Sequence, residues 1–223
     1  VCIGQICTIN SERHNESTEA QVVGFLENKV LLMPLESVHL IHPGCNVISK
    51  KNSNSVPFGN ALLGRVIDGM GRPIDGKGPL MSETRDGFYA EPPNPLKRKL
   101  ITEPFSTGIK SIDTFIPMGQ GQRIGIFSGS GVGKSVLLGM IGRGSEAEVN
   151  VISLVGERGR ELREFIENDL GPEGMAKSII VVSTSDQPAP MRIRAATLAT
   201  ALAEGFRDAE KKVLLLMDSI TRF

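Results

Sequence analysis

Ile124-Gly-Ile-Phe-Ser128-Gly-Ser-Gly-Val-Gly-Lys-Ser135-Val-Leu-Leu-Gly-Met-Ile141 is the stretch that decides the fold. Its order is apolar strand, glycine-rich loop, helix, which is the setting a phosphate-binding loop requires. Glycines let the backbone turn so that several N–H groups converge on one anion. The helix that begins at Lys134 adds its positive N-terminal end. Ser128, Gly129, Ser130, Gly131, Val132, Gly133, Lys134, Ser135 and Val136 are therefore the candidate cradle. In that pattern the lysine reaches the β- and γ-phosphates and the Ser135 hydroxyl holds Mg²⁺. Ser128 departs from the strict pattern, which has glycine six residues before the lysine. Gly129, Gly131 and Gly133 still supply the turn.

Outward from the loop, the second half of the chain alternates strands with helices. Helix Gly108–Phe115 leads to a strand at Ile124–Phe127. Helix Lys134–Arg143, strand Val149–Val155, helix Glu161–Asp169, strand Ser178–Ser183, helix Met191–Arg207 and strand Val213–Met217 follow. This alternation predicts an α/β fold with a parallel sheet joined by right-handed crossovers. The strands are continuous apolar runs, as in sheets covered on both faces.

The first half reads differently. Val1–Ile9, Ala20–Phe25 and Lys29–Pro34 are short strands separated by turns at Asn10–Ser17, Glu27-Asn28 and His42-Pro43-Gly44. They predict a small β-barrel over residues 1–55. The polar tract from Lys50 to Val56 is the expected boundary with a nucleotide-binding domain over residues 56–223. Within that domain, Leu62–Ile67 is a strand candidate among turn signals at Asp68-Gly69, Gly71-Arg72-Pro73 and Asp75-Gly76.

Composition excludes several function classes. The chain has 223 residues, 40% hydrophobic, with 25 basic and 25 acidic side chains. A zero net charge gives no coat for nucleic acid or a membrane surface. No apolar run approaches the roughly 20 residues of a membrane span. Cys2, Cys7 and Cys45 are too few and too scattered for a disulfide framework or a zinc site. His14, His39 and His42 have no acid or nucleophile pattern around them. Val1 is not an initiating methionine and Phe223 ends abruptly, so the chain is expected to be a piece of a longer protein.

In an open parallel sheet, ligands bind at the carboxyl ends of the strands. Glu157 follows the strand ending at Val155, and Asp218 follows the strand ending at Met217. Both acids are thus expected on the rim that carries the phosphate loop. Asp218 would serve in the Mg²⁺ shell beside Ser135. Glu157 would position and polarise the attacking water. Arg158 is a candidate to pair with Glu157 or orient phosphate. Asp186 is a candidate to support the site's ligands from behind or, as the default reading, to cap the helix before Met191. Arg192 and Arg194 flank that helix start and are candidates for an interface or phosphate contact, with a solvated face as the default.

Five segments carry a family resemblance: Leu63-Gly-Arg-Val-Ile-Asp-Gly-Met-Gly-Arg-Pro-Ile-Asp-Gly-Lys-Gly-Pro79, Thr107-Gly-Ile-Lys-Ser-Ile-Asp113, Gly121-Gln-Arg-Ile-Gly-Ile-Phe127, Gly156-Glu-Arg-Gly-Arg-Glu161 and Asp218-Ser-Ile-Thr-Arg-Phe223. In order and spacing they resemble the rotary ATPase superfamily. Ala20-Gln-Val-Val-Gly-Phe25, Leu32-Met-Pro-Leu35 and Ser185-Asp-Gln-Pro188 resemble its flagellar protein-export branch, with the virulence type III secretion branch as the alternative. The resemblance implies an N-terminal barrel, a RecA-like central domain with helices on both sheet faces, and a homohexameric ring with ATP between subunits. It implies ATP and Mg²⁺ as ligands, with Lys134 and Ser135 in the phosphate and metal roles, Glu157 polarising water and Asp218 in the Mg²⁺ shell. It implies work at a membrane-bound export gate from the cytoplasmic side of the inner membrane. A central-stalk coiled coil and a regulatory peripheral-stalk protein are the implied partners. The family's arginine finger, adenine pocket and C-terminal helical domain lie beyond Phe223, so the fragment alone is expected to hydrolyse ATP very slowly.

Three rival classes make different demands. A non-catalytic synthase subunit resembles this chain but typically has Gln at the position of Glu157. A hexameric RNA translocase needs basic grooves and stacking aromatics in its barrel. The first 55 residues offer instead Phe25 and the acids Glu12, Glu16, Glu19 and Glu27. An interaction module without turnover is the third. The sequence argues against a GTPase, because Asn28-Lys29 is followed by Val30-Leu31, not by the acid that reads guanine.

Overall fold

The structure is a computed structural model that describes residues 1–11, 16–36, 38–50, 55–129 and 131–222. His14, Glu12, Ser130, Phe223 and residues 51–54 of the expected boundary lie outside the described residues.

The core is a parallel sheet. β10 (Val149–Val155), β11 (Ser178–Ser183) and β12 (Val213–Asp218) are joined by β6 (Arg65–Asp68), in the order β12-β10-β11-β6. Val151 lies opposite Ile179 on one side and Leu215 on the other, and Ile180 lies opposite Val66. Every residue of β10 and β11 is buried. Alternation sends their side chains into two separate cores. Val149, Val151, Val155, Ile179 and Val181 pack with α5 (Ala189–Asp208) through Leu198, Leu202 and Phe206. Ile152, Leu154, Ile180 and Val182 pack on the opposite face with α2 (Lys134–Gly144) through Leu138 and Ile141, and with Phe165 and Leu170. Helices thus cover both faces, as an α/β fold demands. That β6 belongs to this sheet was not foreseen. Its four residues had no helix before them to mark a crossover.

Two expected elements differ. No strand forms at Ile124–Phe127: the segment has no ladder partner among the described residues, and Ile124, Ile126 and Phe127 are exposed. An apolar run becomes a strand only where another strand satisfies its backbone, and the edge strand β12 pairs only with β10 among the described residues. The helix expected at Glu161–Asp169 is α3 (Gly159–Glu164) followed by a π-turn over Phe165–Leu170 and then α4 (Gly171–Ala176). Gly171, at φ 64°, ends the first run, and Pro172 opens the next.

The N-terminal strands β1 (Ile6–Ser11), β2 (Glu16–Leu26), β3 (Lys29–Pro34) and β4 (Asn46–Ser49) form an antiparallel sheet in the order β3-β2-β1-β4. The expected barrel is not closed: closure needs a ladder between β3 and β4, and the described residues contain none. β5 (Ser55–Phe58) pairs with β7 (Glu83–Asp86), and Phe58 stacks on Phe206 of α5 at 5.0 Å. Ile6 of β1 and Leu35 meet Met191 at the start of α5, which ties the two sheets together. Between β6 and β7, Asp75 receives a two-pronged bond from Arg65 at 2.7 and 3.0 Å and the Val66 N–H at 3.1 Å. The Arg65 guanidinium and these backbone donors hold its carboxyl far below the usual carboxylate range.

Close packing over α2 yields a prediction. In an open helix, Gly→Ala stabilises by about 1 kcal/mol. At Gly139 a Cβ would stand 2.5 Å from the Asp169 carbonyl oxygen and 2.7 Å from the Asp169 Cβ. The clash outweighs the propensity, so Gly139→Ala is expected to destabilise the chain by roughly 1–3 kcal/mol in chemical denaturation. A variant as stable as the unsubstituted chain would show that the π-turn yields.

Candidate functional site

The phosphate loop takes the backbone form its glycines allow. Gly131 and Gly133 sit at φ 76° and 92°, where any other residue is strained. Around the Cβ positions of Gly129, Gly131 and Gly133 nothing lies within 4 Å, so the loop is an open cradle. α2 starts at Lys134 with Gly133 before it and no side-chain cap. The first N–H groups of a helix have no intrahelical acceptor. Those of Lys134, Ser135 and Val136 are therefore available to an anion. Val132 and Val136 are exposed and flank the loop.

The Lys134 ammonium is ion-paired with the Asp218 carboxylate at the end of β12. Asp218 is only 6% exposed. This pair brings the first turn of α2, with Ser135, to the carboxyl end of the sheet. A hydroxyl and a carboxylate are the oxygen donors a hard cation takes. The two residues expected to hold Mg²⁺ therefore fit it.

Glu157 stands on the same rim, one strand over. Gly156 N–H donates to the Ser183 carbonyl at 2.7 Å, and Ser185 N–H donates to the Glu157 carbonyl at 3.0 Å. The loops after β10 and β11 are thereby tied together. The Glu157 carboxylate pairs with Arg222 at 3.3 Å. Its pKa is raised, first by burial, then by a hydrogen bond with Glu161 and by repulsion from Asp218 and Glu161, against the pull of Arg222. Arg222 also donates to the Gly156 carbonyl. Gly156 has to be glycine for this: a Cβ would meet the Arg222 side chain at 2.8 Å, and its φ is 73°.

The structure brings Lys134, Asp218 and Glu157 to one rim and leaves Arg158 aside. Arg158 pairs with Glu161 at 3.5 Å with its side chain 79% exposed. The contact assigned to Arg158 is made by Arg222, which the sequence reading passed over. A short 3₁₀ turn over Ile220–Arg222 folds that side chain back toward β10. Its sequence signals are its place four residues after Asp218 and its membership of the segment Asp218-Ser-Ile-Thr-Arg-Phe223. Asp186 does not cap α5. That helix opens at Ala189 after Pro188 without a side-chain cap, and Asp186 accepts instead from the Thr184 hydroxyl, which lowers its pKa. Arg192 donates to the Arg222 carbonyl at 3.3 Å. Arg194, read as solvated, is 6% exposed. A cavity of about 370 Å³ opens on the α5 side of Asp218, between Ser153, Met217 and Ile220. Neither Lys134 nor Glu157 lines it.

The chain is similar to proteins of one family. Residues 108–223, just over half of the chain, match the nucleotide-binding domain of the ATP synthase alpha/beta family. A flagellum-specific ATP synthase of Bacillus subtilis is 52% identical over 99% of this chain and 50% of its own length. A type 3 secretion system ATPase of Xanthomonas euvesicatoria is 45% identical over 100% of this chain and 50% of its own. The solved structure of the ATPase EscN with its central stalk EscO, from the enteropathogenic E. coli type III secretion system, superposes with a TM-score of 0.88 at 45% identity, covering 100% of this chain and 54% of that one. The chain spans about half the length of these relatives. With its phosphate loop, two-sided parallel sheet and matched nucleotide-binding region, the chain belongs to the ATP synthase alpha/beta family.

Proposed function

We propose that the whole protein hydrolyses ATP with Mg²⁺ to energise flagellar type III protein export. The observation that carries this reading is the Lys134–Asp218 pair with Glu157 on the same rim. Lys134 exchanges its Asp218 partner for the phosphates, and the free N–H groups of α2 take the remaining anionic oxygens. Ser135 and Asp218 hold Mg²⁺, which neutralises charge on the β- and γ-oxygens when bound. Glu157 aligns the attacking water and accepts its proton, while Arg222 fixes the carboxylate. Arg158, exposed at the loop edge, is left for a phosphate or a neighbouring subunit. The acid at Glu157 argues against a non-catalytic subunit.

The flagellar reading is supported by relatives named flagellum-specific ATP synthase in Bacillus subtilis, Treponema pallidum and Pseudomonas aeruginosa, at 52%, 48% and 47% identity. A second reading, a virulence secretion ATPase, is favoured by the Xanthomonas euvesicatoria secretion ATPase and EscN, each at 45%. By likeness to the assembled EscN and its stalk complex, a homohexamer around a coiled-coil central stalk is proposed. A regulatory peripheral-stalk protein and the export gate are the further partners, which puts the protein in the cytoplasm against the inner membrane. No helix among the described residues is long and apolar enough to cross a membrane. No role in binding nucleic acid is proposed. Restoring motility to a bacterium lacking its flagellar export ATPase tests the reading. Rescue of injectisome secretion alone would transfer the assignment.

In the whole protein, Lys134→Ala is expected to abolish detectable binding of a fluorescent ATP analogue. Glu157→Gln is expected to keep the affinity and lower kcat by about 10²–10⁴. Undiminished turnover in the Gln variant would assign the water to another base.

The raised pKa of Glu157 gives an independent expectation. A carboxyl that binds its proton more tightly in the folded than in the unfolded chain opposes folding once pH exceeds the unfolded value. Glu157→Gln is therefore expected to melt at a higher temperature than the unsubstituted chain at pH 7. That difference should close as pH falls through the raised value and past the ordinary 4.5. A gap that persists at pH 3 would show another cause. Likewise the acid limb of kcat/KM, which reports the free enzyme, should lie above 4.5.

A further inference from the structure

The first turns of α5 touch both halves of the molecule. On one side Arg192 donates to the Arg222 carbonyl at 3.3 Å, and Arg222 pairs with Glu157. On the other, Met191 packs with Ile6 and Leu35 of the N-terminal sheet. The turn after β6 lies directly on the helix: a Cβ on Gly69 would come within 2.8 Å of the Met191 sulfur and 3.0 Å of its carbonyl oxygen. Met191 is thus packed between the β6 turn and the N-terminal sheet, and a displacement of that sheet bears on α5 through Ile6 and Leu35.

Arg194 sits in the middle of this contact. Its guanidinium lies 4.1 Å over the ring of Phe88, which is 3% exposed and meets Tyr89 edge-on at 4.8 Å. Tyr89 in turn receives a hydrogen bond from Gln21 of β2 at 2.9 Å. Two of the Arg194 donors, Nε and Nη1, are buried without a partner among the described residues. Glu19 of β2 presents the complementary vacancy. Its Oε1 is taken by Lys50, while its Oε2 is buried and also without a partner there. Buried donors and a buried carboxylate oxygen left open in the same region form a network with a second, better satisfied arrangement available.

We propose that Arg194 is a positioning residue that couples the N-terminal sheet to the catalytic rim: as the sheet closes on α5 its guanidinium takes up Glu19, and the shift of α5 moves the Arg192–Arg222–Glu157 chain. The groups facing Arg194 are consistent with this. Burial depresses its pKa, and Tyr89, Glu19 and Asp68 pull it back up. Asp68 is already engaged by the Met70 and Arg72 N–H groups and by the Arg72 side chain. Glu19 is therefore the acid with an oxygen to give. The phenyl face of Phe88 holds the cation while it is unpaired.

The kinetic part of the test rests on the ATPase reading, and the exchange part does not. The full-length protein is compared with Arg194→Met, Arg194→Lys, Glu19→Gln and the Glu19→Gln/Arg194→Met double variant, at 25 °C and well below each melting temperature. Arg194→Met is expected to lower kcat about threefold to thirtyfold with KM for ATP within about twofold. Arg194→Lys should recover part of the loss, and the double variant should be no worse than the poorer single variant. Hydrogen exchange is expected to quicken at residues 156–160 as well as at 19–35 in Arg194→Met. Faster exchange confined to 19–35, or additive losses of kcat, would overturn the coupling and leave Arg194 as packing alone. If the unsubstituted protein hydrolyses no ATP, the proposed function fails and exchange at 156–160 still decides the coupling.

Discussion

A carboxylate almost wholly out of water needs a counter-charge, and Asp218 finds it in Lys134. The pair does more than neutralise. Residues 124–127, which precede the phosphate loop, form no ladder with the sheet. The contact between the loop's lysine and the end of β12 therefore fixes where the anion cradle stands relative to the strand ends. The ordering of the site follows from it. Ser135 follows Lys134 in the first turn of α2, Asp218 closes β12, and Glu157 is one strand away with Arg222 alongside.

The rim also holds its charges in pairs. Lys134 faces Asp218, and Glu157 faces Arg222. Around Glu157 the balance is close. Burial and the acids Glu161 and Asp218 outweigh the pull of Arg222, so the carboxyl titrates above its usual range. A base of this kind is more readily protonated by an attacking water than an ordinary glutamate, which suits the role proposed for it.

Below the rim, α5 spans the face of the sheet and the junction with the N-terminal strands. Its alanine- and leucine-rich stripe seals β10 and β11, while Met191 meets Ile6 of β1 and Arg194 lies over Phe88. One helix thus carries core packing, the contact to Arg222 and the contact to β1.

The alternating order of apolar runs and helices settled most of the architecture from sequence. Val149–Val155 and Ser178–Ser183 are strands with the bounds their composition indicated, because residues buried on both faces leave a continuous apolar signal. The loop and its lysine were equally legible, since Gly-Val-Gly-Lys-Ser is a local pattern whose backbone demands are local. What sequence could not decide was everything that depends on a distant partner. Ile124–Phe127 has strand composition and no strand beside it; Arg65–Asp68 joins the parallel sheet through Ile179–Val182, more than a hundred residues away. Arg158 and Arg222 are equally basic on paper, and only the 3₁₀ turn after β12 brings one of them to Glu157. Arg194 looked like surface because charge predicts exposure, whereas the closing of Phe88 and β2 over α5 buries it. Local propensity and periodicity are written in neighbouring residues. Pairing, burial and the company a charge keeps are set by segments that meet only once the chain has folded.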